Sequence, residues 1–398
     1  MIPEAEAASR RATRAIVDLD RIEANTAYFA RLIGPNRHLI AVVKANGYGH
    51  GAVMTARTAL AAGACRLAVA TVDEGRHLRA AGITAPILIM GPISESECPS
   101  AVAANLELTV GSTQEVRAIA AAGRAGSGAA IHIKIDTGMH RYGCEPEHVL
   151  AVASEISRYP ELTVHGTYTH LACADTLDAR LTDQQTGAFE KAVAELGSAN
   201  LPTGLLHVGN SAATLNSAHH FYDAVRVGIA LYGLRPNPEW MLPAELLPAL
   251  KLRSTVARVS TLPAGAGVSY GWSYRAAASE QIGLIPIGYA DGYPRALSSV
   301  GVMDIGGHPS PVLGRICMDQ TVVGLASAAN VSVGDEVLIA GGQGAALGFD
   351  DMALALGTIA YELVTRLAAR VPRYYVRGGK TVAVEDLSGL HEPKVSLE

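Results

Sequence analysis

The feature that most constrains the fold of this chain is an alternation of short apolar runs with Ala-rich segments of helical period between residues 39 and 233. Strands that are covered on both faces, as parallel strands are, show such nearly continuous hydrophobicity. The segments between the runs are long enough to be helical crossovers. The eight runs are LIAVVK (39–44), RLAVATV (66–72), PILIMG (86–91), ELTV (107–110), AIHIKID (130–136), LTVHGTYTH (162–170), GLLHVGN (204–210) and AVRVGIA (224–230).

Eight strand–helix units predict an α/β fold whose N-terminal part is a closed (β/α)8 barrel. An open doubly wound sheet would give a similar alternation. The polar residues that recur at the C-terminal ends of the runs favour the closed barrel, because those ends line the mouth where barrel enzymes place their active sites.

The residue pattern of the sequence changes after the proline-rich segment 234–248 (LRPNPEWMLPAELLP). Residues 250–345 alternate β-rich runs with Gly, Pro and Asn, which predicts a second, mainly β domain. The predicted domains are the barrel over 12–240, the mainly β domain over 241–378 with the first fifteen or so residues packing on it, and a loose tail over 379–398. One helix is predicted at 350–369.

Composition and charge exclude several classes of protein. A content of 49% hydrophobic and 17% charged residues is typical of a compact globular chain. The net charge of −5 is spread along the sequence without a basic block, so nucleic acid is not expected as a partner. No apolar run reaches the roughly 18 residues of a membrane span. We therefore expect a soluble protein without a membrane partner, located in the cytoplasm.

The five cysteines predict reduced thiols. They are widely spaced and contain no C-x-x-C pair, which argues against a disulfide framework or a thiolate metal site. No metal is expected. The cysteines are Cys65, Cys98, Cys144, Cys173 and Cys317.

The C-terminal ends of the predicted barrel strands carry a set of polar side chains suited to catalysis. Those from the first strand are Lys44, Asn46 and Tyr48, and the later strands add Lys134, Asp136, Arg141, His170, Asn210, Ser211 and Arg226. Taken alone, Lys44 is more simply interpreted as a lysine that extends to solvent at the end of a strand. At a barrel mouth, however, desolvation would lower its pKa and free its amine to form a Schiff base with an aldehyde.

An aldehyde cofactor with a phosphate, pyridoxal 5'-phosphate, fits this reading if the barrel also holds a phosphate cradle. Two candidate segments supply hydroxyl and backbone N–H donors: GNSAAT, with Asn210 and Ser211, and RVGIALYG, with Gly228 and Ile229. Each is weak alone, since Gly-Asn-Ser is also an ordinary turn. Their positions on neighbouring strands make the pair more specific.

With these segments in place, the chain resembles the alanine racemases, which are pyridoxal-phosphate enzymes of fold type III. The resemblance covers roughly residues 12 to 375 and rests on ordered motifs. These are AVVKANGYGHG, KIDTGMHRYG, THLACAD, GNSAATL, RVGIALYGL, GVSYGWSY, PIGYADGY, GRICMDQ and TIAYELVTRLAARVPR.

The resemblance implies a two-base mechanism in a homodimer with shared active sites. Lys44 would bind the cofactor as a Schiff base and act as the base on one face of the substrate. Tyr270 from the partner subunit would act on the other face, with His170 and Arg226 as its relay. Two opposed groups are needed because a racemase removes the α-proton from one side and returns it on the other. A tyrosine that merely fills a turn is the alternative for Tyr270.

The resemblance also implies roles for the remaining residues. Arg226 would face the pyridine nitrogen of the cofactor, and Arg141 would touch its phenolic oxygen. Lys134 resembles a lysine that is often carbamylated in this family and that then positions the arginine. Met318 and Asp319 would meet the substrate carboxylate, and Tyr289 would line the substrate entrance. The phosphate would be held by Tyr48, Ser211, Gly228, Ile229 and Tyr361.

The function that this resemblance implies is interconversion of L- and D-alanine, which supplies D-alanine for peptidoglycan. A serine or broad-specificity racemase is the nearest alternative, since an apolar pocket rejects an added hydroxyl only weakly. A decarboxylase on the same barrel is disfavoured, because it would place an acidic group, not Arg226, on the pyridine nitrogen. A non-catalytic carrier of the cofactor is disfavoured by the β domain with Tyr270 and Met318.

Overall fold

The computed structural model describes residues 11–392 except 125, 127, 177, 326–329 and 343, and these residues divide into two units. The barrel unit comprises Glu23–Tyr48 and Ala52–Leu231. The β unit comprises the described residues up to Ile22, Gly49–Gly51, and the described residues from Tyr232 onward.

These boundaries differ from the predicted 12–240 and 241–378. Strand β1 (Arg14–Asp18) pairs with residues 250–253 and 373–376, so the first residues of the predicted barrel belong to the β unit. At the other boundary, Ala249 N–H donates to the carbonyl of Tyr232 at 3.1 Å, which ties the segment after Leu231 to the β unit.

In the part of the chain that the structure describes, eight parallel strands close into a barrel in chain order. The last strand pairs in parallel with the first, and Arg226 lies opposite Ile40. Every apolar run of the sequence forms one strand, so the predicted barrel is confirmed. The strands are β2 (His38–Val42), β3 (Arg66–Val69), β4 (Ile87–Ile89), β5 (Glu107–Val110), β6 (Ala129–Lys134), β7 (Leu162–Tyr168), β8 (Leu205–His207) and β9 (Ala224–Val227).

Helices connect successive barrel strands. Helix Val72–Ala80 begins with a capping box. The Thr71 hydroxyl accepts the N–H of Glu74, and the Glu74 carboxylate accepts the N–H of Thr71, so this pair of hydrogen bonds fixes where the helix begins. The helices before the end of the barrel are Leu19–Ile33, Ala52–Ala61, Val72–Ala80, Cys98–Ala103, Thr113–Arg124, Val149–Ile156, Ala179–Ser198 and Ser211–Asn216. Strands β5 and β9 are buried along their whole length, as strands covered on both faces must be.

The β unit confirms the prediction of a mainly β second domain. Its remaining strands are β10 (Leu250–Thr255), β11 (Arg258–Leu262), β12 (Gly267–Val268), β13 (Tyr274–Arg275), β14 (Glu280–Ile285), β15 (Val302–Ile305), β16 (His308–Pro311), β17 (Thr321–Gly324), β18 (Glu336–Ala340), β19 (Arg373–Arg377), β20 (Lys380–Asp386) and β21 (Gly389–His391). Among the described residues they form an eight-stranded sheet, β16-β15-β18-β10-β1-β19-β20-β21, a three-stranded sheet, β11-β14-β17, and the pair β12-β13.

Two predictions for the C-terminal region are wrong. The loose tail expected from residue 379 is replaced over 380–391 by β20 and β21, which extend the large sheet and bury Ala383. Residues 393–398 of that predicted tail lie outside the described residues. The single helix expected at 350–369 is interrupted, because Gly357 adopts φ 64° and ends a first helix, Phe349–Leu356, before a second begins at Ala360–Thr365.

Across the described ranges, no helix combines the length and the apolar character that crossing a bilayer requires.

Candidate active site

Lys44 stands at the start of a left-handed helical turn. Ala45, Asn46, Gly47 and Tyr48 all have φ between 50 and 60°. The turn is closed by a 2.9 Å hydrogen bond from Gly47 N–H to the carbonyl of Val43. A left-handed conformation costs about 1–2 kcal/mol for each residue other than glycine, and such strain persists where surrounding contacts enforce it. The turn is therefore a strained segment at the C-terminal end of β2.

The surroundings of Lys44 favour its neutral amine. Burial lowers its pKa most, the positive charge of Arg141 lowers it further, and the carboxylate of Glu74 opposes both. A neutral amine is the form that attacks an aldehyde. The structure thus gives this lysine the electrostatics that a Schiff-base lysine needs.

Arg226 is buried in the barrel with its side chain fixed by protein acceptors. One terminal nitrogen donates to the carbonyl and Nδ1 of His207 at 2.7 and 2.8 Å, and the other donates to the carbonyls of Thr169 and Val208 at 2.7 and 3.1 Å. Its second terminal nitrogen is also 3.4 Å from His170 Nδ1, so the structure brings these two predicted residues together. Among the described residues, the buried Nε has no hydrogen-bond partner.

A chain of buried polar groups continues inward from Arg226. His207 Nε2 lies 3.0 Å from His132 Nδ1, and His132 Nε2 lies 3.1 Å from the Glu107 carboxylate. Glu107 also pairs with His165 at 2.9 Å and with Arg66. Burial alone would raise the pKa of Glu107, but its bonds with the histidines and the guanidinium hold that pKa well below its usual range. Glu107 is therefore a fixed negative charge at the far end of the chain.

Lys134 and Arg141 lie on the β6 side of the barrel mouth. Burial, followed by repulsion from Arg141, lowers the pKa of Lys134 to about 8. Its amine sits 4.9 Å from the centre of the Tyr142 ring. The Asp136 carboxylate accepts backbone N–H groups of residues 138–141 at 2.9–3.0 Å, so it holds the loop that carries Arg141.

Four of the residues that were predicted to hold the phosphate lie around Gly228. Its N–H donates to Ser211 Oγ at 2.9 Å, and a Cβ added at Gly228 would lie 2.5 Å from the Tyr48 hydroxyl. Tyr48 is 6% exposed, and Ile229 is buried beside the same backbone. The structure thus brings Tyr48, Ser211, Gly228 and Ile229 together in the barrel unit.

Two further predicted cofactor residues are placed differently. Asn210 caps helix Ser211–Asn216: its Oδ1 accepts the Ala213 N–H at 2.9 Å, and its amide group donates to the Leu171 carbonyl at 3.4 Å. Both ends of this side chain therefore bind the protein itself. Tyr361 belongs to helix Ala360–Thr365 of the β unit.

Tyr270 lies in the β unit beside strained backbone. Ser269 has φ 59° and ψ −167°, a combination that is essentially confined to glycine, and its hydroxyl donates to the Arg315 carbonyl at 2.6 Å. Tyr270 is 71% exposed and Met318 is 52% exposed. These two side chains line one open depression with Asp319, so the structure groups three of the residues that were predicted to contact the substrate from the partner subunit.

Asp319 belongs to a network of ion pairs within the β unit. Arg370 bonds Asp319 at 2.7 Å and the fully buried Asp291 at 2.7 Å, and Arg11 bonds the same Oδ1 of Asp291 at 2.7 Å. Tyr289 is tied to the same region, because its N–H donates to the Cys317 carbonyl at 3.1 Å.

Sequence reasoning missed the residues that support these groups. Glu107, His132 and His207 lie inside the apolar runs ELTV, AIHIKID and GLLHVGN, where a polar residue is the only signal of a polar barrel interior. Glu74 was signalled by the spacing Thr71-x-x-Glu74, which is typical of a helix cap. Nothing in that spacing indicates its contact with the turn after Lys44.

Comparisons with known proteins agree with this geometry. The alanine racemase N-terminal domain profile matches residues 17–236, and the C-terminal domain profile matches residues 249–375. The alanine racemase of Desulforamulus reducens is 42% identical over 363 residues, covering 90% of this chain and 98% of the relative. The alanine racemase of Desulfovibrio desulfuricans is 40% identical over 361 residues, covering 90% and 97%.

A solved structure extends the likeness to three dimensions. The crystal structure of alanine racemase from Bacillus anthracis with bound L-Ala-P superposes with a TM-score of 0.91 at 38% identity, covering 96% of this chain and 99% of that one. The likeness therefore spans both units and almost the full length of each protein compared. The chain belongs to the alanine racemase family and is an isomerase that interconverts L-alanine and D-alanine.

Proposed function

We propose that this alanine racemase works with pyridoxal 5'-phosphate bound to Lys44. The observation that carries the proposal is the buried Nε of Arg226, which has no hydrogen-bond partner among the described residues. A buried donor without an acceptor is costly, so it points to a ligand atom that completes it. An unprotonated pyridine nitrogen is an acceptor of this kind. The close approach of Tyr48 to Gly228 adds a second fit, since only a glycine leaves room there.

The residues that would hold the cofactor are then distinct in their tasks. Lys44 would hold the aldehyde, Arg226 would donate a hydrogen bond to the ring nitrogen, and Tyr48, Ser211 and Gly228 would hold the phosphate. When bound, the cofactor withdraws electrons from the α-carbon of an attached amino acid and so makes its α-proton acidic.

Arg226 limits that electron withdrawal. Burial lowers the pKa of its guanidinium to about 10, which still leaves it protonated at neutral pH. A guanidinium donates a hydrogen bond but does not give up its proton readily, so Arg226 would leave the ring nitrogen of the bound cofactor unprotonated. The cofactor would then withdraw electrons less strongly, which would favour simple proton exchange over other reactions.

Two bases would exchange the α-proton. The Lys44 amine acts on one face, and Tyr270 of a second copy acts on the other. A free tyrosine has a pKa of about 10, so its ionised form needs a cation nearby. Burial, reinforced by the charge of Arg226, lowers the pKa of His170 well below its usual value, so His170 is neutral and binds an additional proton only weakly. The cation of the proposed relay is then Arg226, whose terminal nitrogen lies 3.4 Å from His170 Nδ1.

Carbamylation of Lys134 is part of the proposal. A lysine with a pKa of about 8 has an appreciable fraction of neutral amine at neutral pH, and the neutral amine is the form that reacts with carbon dioxide. The resulting anion would pair with Arg141 in place of the repulsion that now lowers the pKa of Lys134. A mass increment on intact, mildly handled protein tests this, and full activity without that increment would contradict it.

A homodimer would complete the site. The depression lined by Tyr270, Met318 and Asp319 exposes apolar side chains that a monomer has no reason to leave in water. In the proposed dimer, Met318 and Asp319 meet the substrate carboxylate and Tyr289 narrows the entrance. Separated subunits should then be inactive.

The proposal places the reaction in the cytoplasm, where D-alanine enters peptidoglycan synthesis. All five cysteines are free, as expected of thiols in a reducing compartment. Arg226 speaks against an amino-acid decarboxylase, and the depression around Tyr270 speaks against a carrier.

Tyr270→Phe tests the two-base assignment. Each enantiomer of alanine is incubated with the variant, and formation of the other is followed. Loss of the phenol should lower turnover by roughly 10²- to 10⁴-fold, the usual contribution of a general base. Tyr293→Phe is the matched control, because within the described residues the buried Tyr293 hydroxyl has no hydrogen-bond partner. Unchanged racemisation by Tyr270→Phe in both directions would refute the assignment.

A further inference from the structure

Glu74 connects the ends of two neighbouring barrel strands. One oxygen of its carboxylate accepts the N–H of Ala45 at 2.6 Å, in the turn after β2. The other oxygen accepts the N–H groups of Ala70 and Thr71 at 2.7 and 3.2 Å, just after β3. The contact with Ala45 joins residues 29 apart in sequence and goes beyond the helix cap that Glu74 shares with Thr71.

We propose that Glu74 is a positioning residue for Lys44: it holds the left-handed turn that aims the lysine amine at the cofactor and the substrate. The inference rests on the proposed function, in which Lys44 carries the cofactor and acts as a base. In this proposal Glu74 contacts neither the cofactor nor the substrate. It acts through the backbone that follows Lys44.

The strain of the turn is the first argument. Ala45, Asn46 and Tyr48 each occupy a left-handed conformation that an L-residue avoids. The bond from Gly47 N–H to the Val43 carbonyl within the turn offsets only part of this cost, since a single neutral hydrogen bond stabilises less than three such residues cost. A bond from Ala45 N–H to a carboxylate is of the stronger, charge-assisted kind, and it acts on the residue next to Lys44.

The position of the carboxylate between the strands is the second argument. One oxygen accepts from the residue after Lys44 and the other from residues after β3, so Glu74 acts as a strut between the ends of β2 and β3. A side chain that only capped helix Val72–Ala80 would need the contacts with Thr71 alone. The additional bond therefore indicates a task outside the helix.

The charge of Glu74 is a third, smaller effect. Its field raises the pKa of Lys44, against the burial and the Arg141 charge that lower it. Removing the charge should therefore favour the neutral amine. If charge alone mattered, its loss would speed attack on the cofactor's aldehyde, whereas loss of positioning would slow it.

These opposite signs make the test decisive. Glu74→Gln keeps the length of the side chain but presents an amide N–H to at least one backbone N–H, so one side of the strut is lost. Glu74→Asp keeps the charge but is too short to reach both strands. Thr71→Val is the matched control, since it removes the hydroxyl that accepts the Glu74 N–H at 3.3 Å and leaves the carboxylate in place.

The readouts are the rate and affinity with which apoprotein takes up pyridoxal 5'-phosphate, followed by absorbance, together with kcat and KM of the holoenzyme. For both Glu74 variants we expect about 10- to 100-fold losses in kcat and in the rate of cofactor attachment, the effect of misplacing a reacting group by about 1 Å. The KM for alanine should change little. Thr71→Val should lower the melting temperature alone.

Each alternative outcome has one meaning. Wild-type kcat and attachment rate in Glu74→Gln, with a lower melting temperature as in Thr71→Val, would reduce Glu74 to a helix cap and overturn the inference. Faster cofactor attachment in Glu74→Gln with normal behaviour of Glu74→Asp would show that charge, not the strut, matters, and would also overturn it. A wild-type protein that takes up no cofactor on Lys44 would instead remove the proposed function.

Discussion

Replacing Gly228 by alanine tests the proposed phosphate cradle with one methyl group. The added Cβ would lie 2.5 Å from the Tyr48 hydroxyl and 3.0 Å from its ring carbon Cζ, whereas ordinary contact begins at 3.4 Å. The hydroxyl would have to withdraw by about 0.9 Å, the difference between 3.4 and 2.5 Å, from a position that is almost completely buried. The φ of Gly228 is not in the left-handed region, so the effect is steric.

The magnitude follows from the cost of overpacking. An added methyl group in a filled site costs about 1–3 kcal/mol. If cofactor binding carries that cost, the dissociation constant for pyridoxal 5'-phosphate rises about 10- to 100-fold, since 1.4 kcal/mol is a factor of ten. The assay is a titration of apoprotein with the cofactor, followed by absorbance.

The control is the same substitution where there is room. Gly187 lies within helix Ala179–Ser198, and no atom comes within 4 Å of its added Cβ. Gly187→Ala should leave cofactor binding unchanged and stabilise the fold by about 0.5–1 kcal/mol, because alanine is the better helix former. Equal cofactor affinity in Gly228→Ala and wild type would refute the cradle.

Three further predictions concern stability. Arg226→Lys should lower the free energy of unfolding by about 1–3 kcal/mol for each buried carbonyl it leaves unpaired, measured with urea; an unchanged value would mean that the guanidinium contacts are dispensable. Acid should destabilise the protein below about pH 6.5: burial lowers the pKa of His132 and His207 from 6.5, so the unfolded state binds more protons as the pH falls through that value. A flat urea midpoint from pH 7 to 5 would contradict this. Gly288→Ala should destabilise the β unit by about 1–3 kcal/mol, because its Cβ would meet the Cys317 carbonyl oxygen at 2.2 Å; an unchanged melting temperature would contradict the overlap.

The barrel was predictable because its signal is periodic. Each of the eight runs buries one strand, and a strand buried on both faces has few alternatives to apolar side chains. Lys44 was predictable for a related reason, since a lysine that ends such a run must either extend to solvent or serve a reaction. Its left-handed turn was not, because Asn46 and Gly47 tolerate that conformation but Ala45 and Tyr48 disfavour it.

The remaining features depend on contacts between distant parts of the chain. The last two strands were taken for a loose tail because chain ends are often poorly ordered, whereas here β20 pairs with β19 and the half-buried Glu385 accepts a hydrogen bond from the buried Tyr375. The break at Gly357 was missed because glycine in a helical pattern is often tolerated. Glu74 was missed, because the spacing Thr71-x-x-Glu74 indicates only a helix cap and its partner Ala45 follows the neighbouring strand.

The most direct test of the account is to identify the residue that carries the cofactor in active protein. The enzyme is shown to form D-alanine from L-alanine, then reduced with borohydride, which makes the Schiff base permanent, and digested for mass spectrometry. The account predicts a pyridoxyl group on Lys44 and loss of activity in step with its appearance. Activity that survives complete reduction, or a label on another lysine, would contradict it.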